Sequence, residues 1–142
     1  MESQLFCKME MAMIHDKAGK LGISGMLIPE RYDQPAKTCT FIIRGGKLLT
    51  EIGKISTIHT SEDDYGVRIT ISESAAIVKD EQMKLWGTSV LMALKNELSQ
   101  EEAEKLMDTV IGTGAADWNG YDLKLEENPL TKTSTFSVAS RE

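Results

Sequence analysis

Cysteine, proline and long apolar runs are scarce in this 142-residue sequence, and each shortage argues against a class of protein. Two cysteines are too few for the disulfide framework of small secreted domains, and three scattered prolines do not form a linker. No apolar run approaches the ~20 residues that a membrane-spanning helix needs, and no basic-then-apolar signal peptide opens the chain. We therefore expect a cytoplasmic protein without a membrane span, whose two cysteines are reduced thiols.

Positive charge is scarce as well. The chain has 16 lysines and arginines against 22 aspartates and glutamates, which gives a formal net charge of −6. A nucleic-acid-binding protein usually carries a basic stripe that displaces counterions from phosphates, whereas the basic residues here occur as isolated pairs such as Lys17 with Lys20. Nucleic acid is therefore not an expected partner.

Length and composition are those of one ordinary globular domain. Hydrophobic residues make up 41% of the chain and charged residues 27%, close to the averages for globular proteins. A chain near this length can bury roughly two-thirds of its unfolded surface in a single core. We expect one domain spanning residues 1–142.

Strand patterns dominate residues 1–72. The segment 38–44 is rich in β-branched and aromatic residues and runs into Gly45-Gly46, a pair suited to a tight turn, after which 47–52 would return antiparallel. Further strand-like segments are 22–29, 54–60 and 67–71. Together these segments predict an antiparallel meander.

Residues 5–14 fit two patterns. The apolar residues at 7, 9, 11 and 13 alternate with less apolar neighbours, which suits a strand, while those at 5, 6, 9 and 13 also fit one side of a helix. Alternation is the cleaner match, so we expect a strand, although methionine is only a middling strand former.

Helical spacing begins near residue 80 and predicts a helix pair over 80–111. The first helix carries an apolar stripe of Met83, Trp86, Val90, Leu91, Leu94 and Leu98. Ser99 and Glu102 form a capping box that opens the second helix, and Gly112 is expected to end it. Gly87 costs roughly 1 kcal/mol relative to alanine inside a helix, which a close approach of another backbone would explain.

The last segment predicts a β-hairpin over 121–139. Tyr121–Leu125 alternates, Asn128-Pro129 turns the chain, and a threonine-rich strand follows. This hairpin contains few apolar residues, so we expect it to form an edge of the sheet or an exposed arm. The assembled fold class is α+β: an antiparallel meander sheet covered on one face by an αα-hairpin from the C-terminal half, with a final β-hairpin.

No recognisable catalytic or metal-binding constellation stands out. Cys7, His15, Cys39 and His59 could in principle form a tetrahedral zinc set, but their gaps far exceed the short spacings of zinc ligands. Neither cysteine lies in a nucleophile signature. The segment 112–116 follows a helix rather than opening one, unlike a phosphate-binding loop. We expect no catalytic residue, no metal and no cofactor.

Two features indicate a partner. A segment of turn-forming residues places Trp118 either back on the core or at a loop tip as an aromatic anchor. The second helix is acidic, as either a solvated face or a docking surface for a basic partner. The residues expected to bind a partner are Trp118, Asn119, Tyr121, Glu101, Glu104 and Asp108.

The leading hypothesis is a non-enzymatic protein-binding module, an adaptor or inhibitor that acts through protein contacts and also self-associates. Small acidic proteins of this kind are common in phages and mobile elements, so a phage-encoded inhibitor of a host protein is a special case of this hypothesis. The first alternative is a small-molecule or nucleotide binder that uses the Gly112–Tyr121 loop. The second is an enzyme whose catalytic residues converge only in three dimensions.

Overall fold

The computed structural model of the chain describes residues 2–22, 25–33, 38–45, 50–59, 65–72, 79–95 and 97–140. These ranges contain ten regular elements. In chain order they are α1 (Glu2–Lys20), β1 (Gly25–Asp33), β2 (Thr38–Gly45), β3 (Thr50–His59), β4 (Tyr65–Ser72), α2 (Lys79–Leu94), α3 (Gln100–Thr113), β5 (Ala115–Trp118), β6 (Tyr121–Asn128) and β7 (Thr133–Ser140). The turn expected after Gly45 lies mostly outside the described residues. The sequence leaves residues 73–79 open between strand and helix: Lys79 begins α2, and 73–78 lie outside the described residues.

The described strands form one antiparallel sheet in the order β1-β2-β3-β4-β7-β6-β5. Strands β1 to β4 pair in sequence, and the chain then returns through the helices to place β7 beside β4. The helices form a layer in which α2 packs against both α1 and α3. The α+β class, the antiparallel meander, the C-terminal helix pair and the final hairpin are confirmed.

Helix α1 is the largest departure from expectation, because residues 5–14 are helical and the predicted strand is wrong. Ile14 and Ala18 are both buried, with Met11 packed against the core one turn earlier, so one helical stripe contacts the rest of the protein. Met13 is 48% exposed. The alternation of methionines is therefore incidental to packing, and spacings of three and four decide the structure.

Helices α2 and α3 follow the predicted pattern closely, except that α2 ends at Leu94, so Leu98 of the predicted stripe lies in the connection to α3. Met83, Trp86, Val90 and Leu91 are fully buried beneath α2. The Ser99 hydroxyl accepts a hydrogen bond from the Glu102 N–H at 3.2 Å and caps α3 as predicted.

The end of α3 differs from expectation by two residues. The helix continues through Gly112 to Thr113, and Gly114 is its C-cap, with a φ of +87° and an N–H that donates to the Val110 carbonyl at 2.7 Å. This left-handed conformation favours glycine, which explains why the second glycine of the pair ends the helix.

Gly87 is explained by a side chain rather than by the expected backbone approach. A Cβ added at Gly87 would collide with Met107 Cε and lie 2.6 Å from Met107 Sδ. Met107 is fully buried on α3, so the missing side chain on α2 lets the two helices pack together.

Strand β7 lies inside the sheet, and the expectation that the last hairpin is an edge or exposed arm is wrong. Hydrogen-bonded neighbours flank β7 on both sides, β4 along one edge and β6 along the other. Phe136 and Val138 are buried against the helices, and these two apolar residues are enough to anchor the strand. A polar strand is central here because only one of its faces meets the core.

Cys39 is buried and disulfide-bonded, so the expectation of a reduced thiol is wrong for this residue. The chain has one other cysteine, Cys7, which falls in α1 and whose side chain lies outside the described residues. Stable disulfides are typical of oxidising compartments.

Candidate protein-binding surface

The β5–β6 hairpin positions the predicted aromatic residues. Its two-residue turn consists of Asn119 and Gly120, whose φ values of +50° and +81° are both positive, as a type I′ turn requires. The turn places Trp118 directly opposite Tyr121 in the register of the two strands. The two rings stack with their centroids 5.8 Å apart and an interplanar angle of 25°.

Trp118 ends a strand instead of lying at a loop tip. Most of the predicted loop from Gly112 to Gly120 is regular structure: it begins with the end of α3, continues through strand β5 and leaves only the turn at Asn119 and Gly120. Trp118 and Tyr121 are half-buried and pack against the core. Of the two interpretations of Trp118, the structure supports the one in which the ring is tucked back, with part of its surface still exposed.

The carboxylates of α3 differ in how far they are neutralised. Asp108 forms an ion pair with Lys84 of α2 at 2.9 Å, and Glu101 lies 3.7 Å from Lys105 one turn along the same helix. Glu104 accepts a hydrogen bond from the Gln100 amide at 3.1 Å.

The Lys84 ammonium group lies in a negatively charged environment, which affects its pKa. Its hydrogen bond to Asp108 raises its pKa, with further contributions from the charges of Asp108 and Glu104. Within the described part of the chain, Glu97 and Glu102 form no ion pair. The acidic surface is therefore least neutralised around the start of α3.

The turn and the start of α3 lie at the same end of the protein. Lys95, just after α2, donates a hydrogen bond to the Asn119 side-chain oxygen at 3.5 Å. The chain reaches α3 five residues later, and β5 runs back from the far end of α3 toward this point. We call this region the aromatic–acidic end and define it by Glu97, Glu101, Glu102, Trp118, Asn119 and Tyr121.

The predicted partner-binding residues are thus only partly brought together. Trp118, Asn119 and Tyr121 share one hairpin, and Glu101 lies at the same end of the protein. Asp108 is about 10 Å farther along α3, given the rise of 1.5 Å per residue, and it is paired with Lys84. Sequence reasoning did not single out Lys95 or Lys84, because their partners lie on elements distant in sequence.

The sheet edges offer little for strand addition. At one edge, β5 has only four residues, and the Thr113 hydroxyl donates to the Ala115 carbonyl at 2.8 Å. At the other edge, β1 contains Pro29 and an irregularity between Pro29 and Arg31. Short edges, prolines and bulges all hinder pairing with another strand. The side-chain surfaces are therefore better candidates for partner contact than the edges.

The residues considered for metal or thiol chemistry do not form a site in the described structure. His15 is exposed on α1, and the Cys39 sulfur is bonded to another sulfur. The side chains of Cys7 and His59 lie outside the described residues. Elsewhere in the described ranges, no three histidine, cysteine or acidic residues gather where a metal ion could bind. Nor is any helix in these ranges long and apolar enough to cross a membrane.

No protein-family model, curated protein or solved structure matches this chain.

Proposed function

We propose that this protein is a non-enzymatic protein-binding module whose aromatic–acidic end engages a partner with a basic surface. The observation that carries the proposal is the stacked Trp118–Tyr121 pair, held at the same end of the protein as carboxylates without a cation partner. Aromatic side chains that are partly exposed and already ordered are favourable contact residues, because little side-chain entropy remains to be lost on binding.

The charges around this pair favour a basic partner. Glu97 and Glu102 are exposed and form no ion pair within the described ranges, so a lysine or arginine of the partner would not have to displace an internal cation. Charges at the rim of an interface mainly accelerate association and select the partner. The aromatic pair would supply the apolar contact.

The alternatives have less support. The small-molecule hypothesis needed an open loop at 112–121, where strand β5 lies instead. Self-association remains a prediction, which size-exclusion chromatography with light scattering tests directly. The cytoplasmic assignment followed from the lack of a recognisable signal peptide and from two cysteines expected to be reduced. The Cys39 disulfide contradicts the second of these and favours an oxidising compartment as the place where the module acts.

The experiment uses a defined basic probe and the emission of Trp118. A peptide of alternating lysine and leucine is titrated into the full chain, with an alternating glutamate and leucine peptide as the opposite-charge control. Trp86 is fully buried, so we expect the spectral change to come from Trp118 and to vanish in Trp118→Phe. Phenylalanine is preferable to alanine because the half-buried ring contributes to packing.

Two double variants with the same change in net charge distinguish the effect of the local surface on binding from the effect of net charge. Replacing Glu97 and Glu102 by glutamine is expected to weaken binding of the basic peptide about tenfold, or about 1.4 kcal/mol. The control replaces Glu126 and Glu127 by glutamine, because both are exposed on β6 and the change in net charge is identical. Equal weakening by the two pairs, or binding that leaves the Trp118 emission unchanged, would overturn the proposal.

A further inference from the structure

The sheet has a second face that none of the described helices covers. Side chains on the covered face, such as Phe41, Ile55 and Ile69, are buried beneath the helix layer. Their neighbours along each strand point the opposite way, because successive side chains of a strand alternate between faces. We call this second surface the open face.

Hydroxyl groups dominate the middle of the open face. The Thr40 and Ser56 hydroxyls lie 3.4 Å apart across β2 and β3, and those of Thr70 and Thr135 lie 3.4 Å apart across β4 and β7. Short hydroxyl side chains leave the backbone of the sheet accessible to a flat ligand. The middle of the open face therefore offers hydrogen bonds, whereas its β1 side also presents the apolar side chains of Met26, Ile28 and Ile42.

One row across the open face contains cations and hydroxyls but no carboxylate. The strand registers align residues of five adjacent strands in this row, which we call the donor row: Thr40, Ser56, Arg68, Ser137 and Lys124. The rows on either side do contain carboxylates: one holds Glu126 together with Lys54, which is paired with Glu30 at 3.0 Å, and the other holds Asp122. Within the described part of the chain, neither Arg68 nor Lys124 forms an ion pair.

The spacing of the two cations restricts the ligand. Arg68 and Lys124 lie two strands apart, which places their backbones about 10 Å from each other at the usual strand separation. That distance is comparable to one disaccharide unit of an extended polysaccharide. The hydroxyl of Ser137 lies between them and can donate to or accept from a sugar hydroxyl.

The absence of aromatic side chains from the described open face argues against two other ligands. Single-stranded nucleic acids bind through bases stacked on aromatic residues. Neutral sugars bind a sheet most readily by stacking a ring face on an aromatic side chain, which the described part of this surface does not offer. Recognition here would depend on anionic groups and on hydrogen bonds to hydroxyls.

We propose that the open face binds an acidic polysaccharide, laid across the strands with successive anionic groups on Arg68 and Lys124. The disulfide of Cys39 supports this inference independently, because disulfides persist in the oxidising, extracytoplasmic compartments where such polysaccharides occur. The net charge of −6 opposes the approach of a polyanion, so binding should be short-ranged, modest in affinity and weakened by salt. The proposal does not rest on the aromatic–acidic end, which lies elsewhere on the surface.

The test titrates the full chain with a hyaluronate octasaccharide, which carries one carboxylate per disaccharide. Dextran of similar length serves as the neutral control, and a thymidine oligonucleotide serves as the phosphate control. We expect amide chemical-shift changes centred on Ser56, Arg68, Ser137 and Lys124, and no comparable changes with dextran. Binding of dextran or the oligonucleotide with equal or greater affinity would overturn the proposal, as would shifts confined to other residues.

Variants make the test specific to the donor row. The double replacement Arg68→Gln and Lys124→Gln is expected to raise the dissociation constant for hyaluronate at least about tenfold, because charge-assisted hydrogen bonds are lost at both sites. Both residues are exposed, so the melting temperature should change little.

The matched control replaces Lys84 and Lys105 by glutamine, which removes the same charge from the helix layer. It should change the dissociation constant by less than about twofold, since exposed charges far from a site are largely screened. An equal effect of the two double variants, or an unchanged constant for the donor-row variant, would refute the proposal. Neither result would bear on the basic-peptide experiment, which probes Glu97 and Glu102.

Discussion

The two faces of the sheet are made by alternate residues of the same strands, yet they have different roles. Phe136 and Ser137 are adjacent in β7: the phenylalanine is fully buried under the helices, whereas the serine lies half-buried on the open face. Burying a large apolar side chain contributes about 1.5–3 kcal/mol, while an exposed hydroxyl contributes little to stability. The covered face therefore contributes most of the apolar burial that stabilises the fold, and we expect substitutions on the open face to cost little stability.

The largest expected effect on stability comes from replacing each of these two neighbours by alanine in turn. Phe136→Ala should lower the free energy of unfolding by about 3–5 kcal/mol, because it removes a buried ring from a central strand and leaves a cavity. Ser137→Ala, one residue away on the open face, should change it by less than about 0.5 kcal/mol. Denaturant unfolding followed by circular dichroism measures both values.

The difference in unfolding free energy between the two variants tests whether β7 lies in the middle of the sheet. If β7 were the edge or arm that its polar sequence indicates, the two substitutions would have similar small effects. A loss below about 1 kcal/mol for Phe136→Ala would contradict the sheet order, since edge positions that can relax cost less on truncation.

A second comparison concerns two helical glycines, one inside the covered layer and one outside it. Gly87→Ala should destabilise the protein by about 1–3 kcal/mol, because the new methyl group would overlap the buried Met107 side chain. Gly112→Ala in α3 should stabilise the protein by about 0.4–1 kcal/mol, because nothing lies within 4 Å of its added Cβ and alanine is the better helix former.

Thermal and denaturant unfolding of both glycine variants measure the difference in sign. Stabilisation by Gly87→Ala would show that Met107 moves aside without cost, and the close packing of α2 on α3 would then be wrong. The double variant Gly87→Ala with Met107→Ala should lose less stability than the sum of the two single losses, because the methyl group at position 87 would then occupy the space vacated by Met107.

The sequence alone predicts helix α3 but not helix α1. Ser99 and Glu102 predict the start of α3, because a helix cap is a local interaction between residues close in sequence. Helix α1 has no comparable signal, and its methionines mimic a strand. Its contact with the core comes from Ile14 and Ala18, where the stripe is short and depends on α2, an element distant in sequence.

The same distinction applies to the candidate surfaces. Asn119 and Gly120 are strong turn formers, so the sequence indicated a turn here and singled out Trp118 and Tyr121, but it did not predict β5 or the stacking of the two rings. The donor row could not be predicted, because it requires the register of five strands and the insertion of β7 between β4 and β6. A single sequence carries no information on which of two polar strands becomes central.

The smallest expected effect tests whether surface charges contribute to the stability of the helix layer. Lys84 donates to Asp108 at 2.9 Å, and this hydrogen bond raises the pKa of Lys84 above its ordinary value of 10.5. A group whose pKa is raised by folding contributes stability that is complete below its unfolded pKa and is lost as pH rises through its folded pKa. The loss should therefore fall above pH 10.5 and leave neutral and acidic solutions unaffected.

The magnitude is bounded by exposure, since the side chains of Lys84 and Asp108 are 37% and 60% exposed and solvent screens the pair. An exposed ion pair contributes about 0–1 kcal/mol, so we expect Lys84→Gln to cost no more than about 0.5 kcal/mol at neutral pH. Asp108→Asn should remove the same alkaline loss, because either substitution breaks the same pair. Unfolding curves at pH 8 and pH 11 measure the difference between each variant and the wild type. A wild-type alkaline loss that persists in both variants would show that the pair between α2 and α3 is not its cause, and apolar packing around Gly87 and Met107 would then account for the contact.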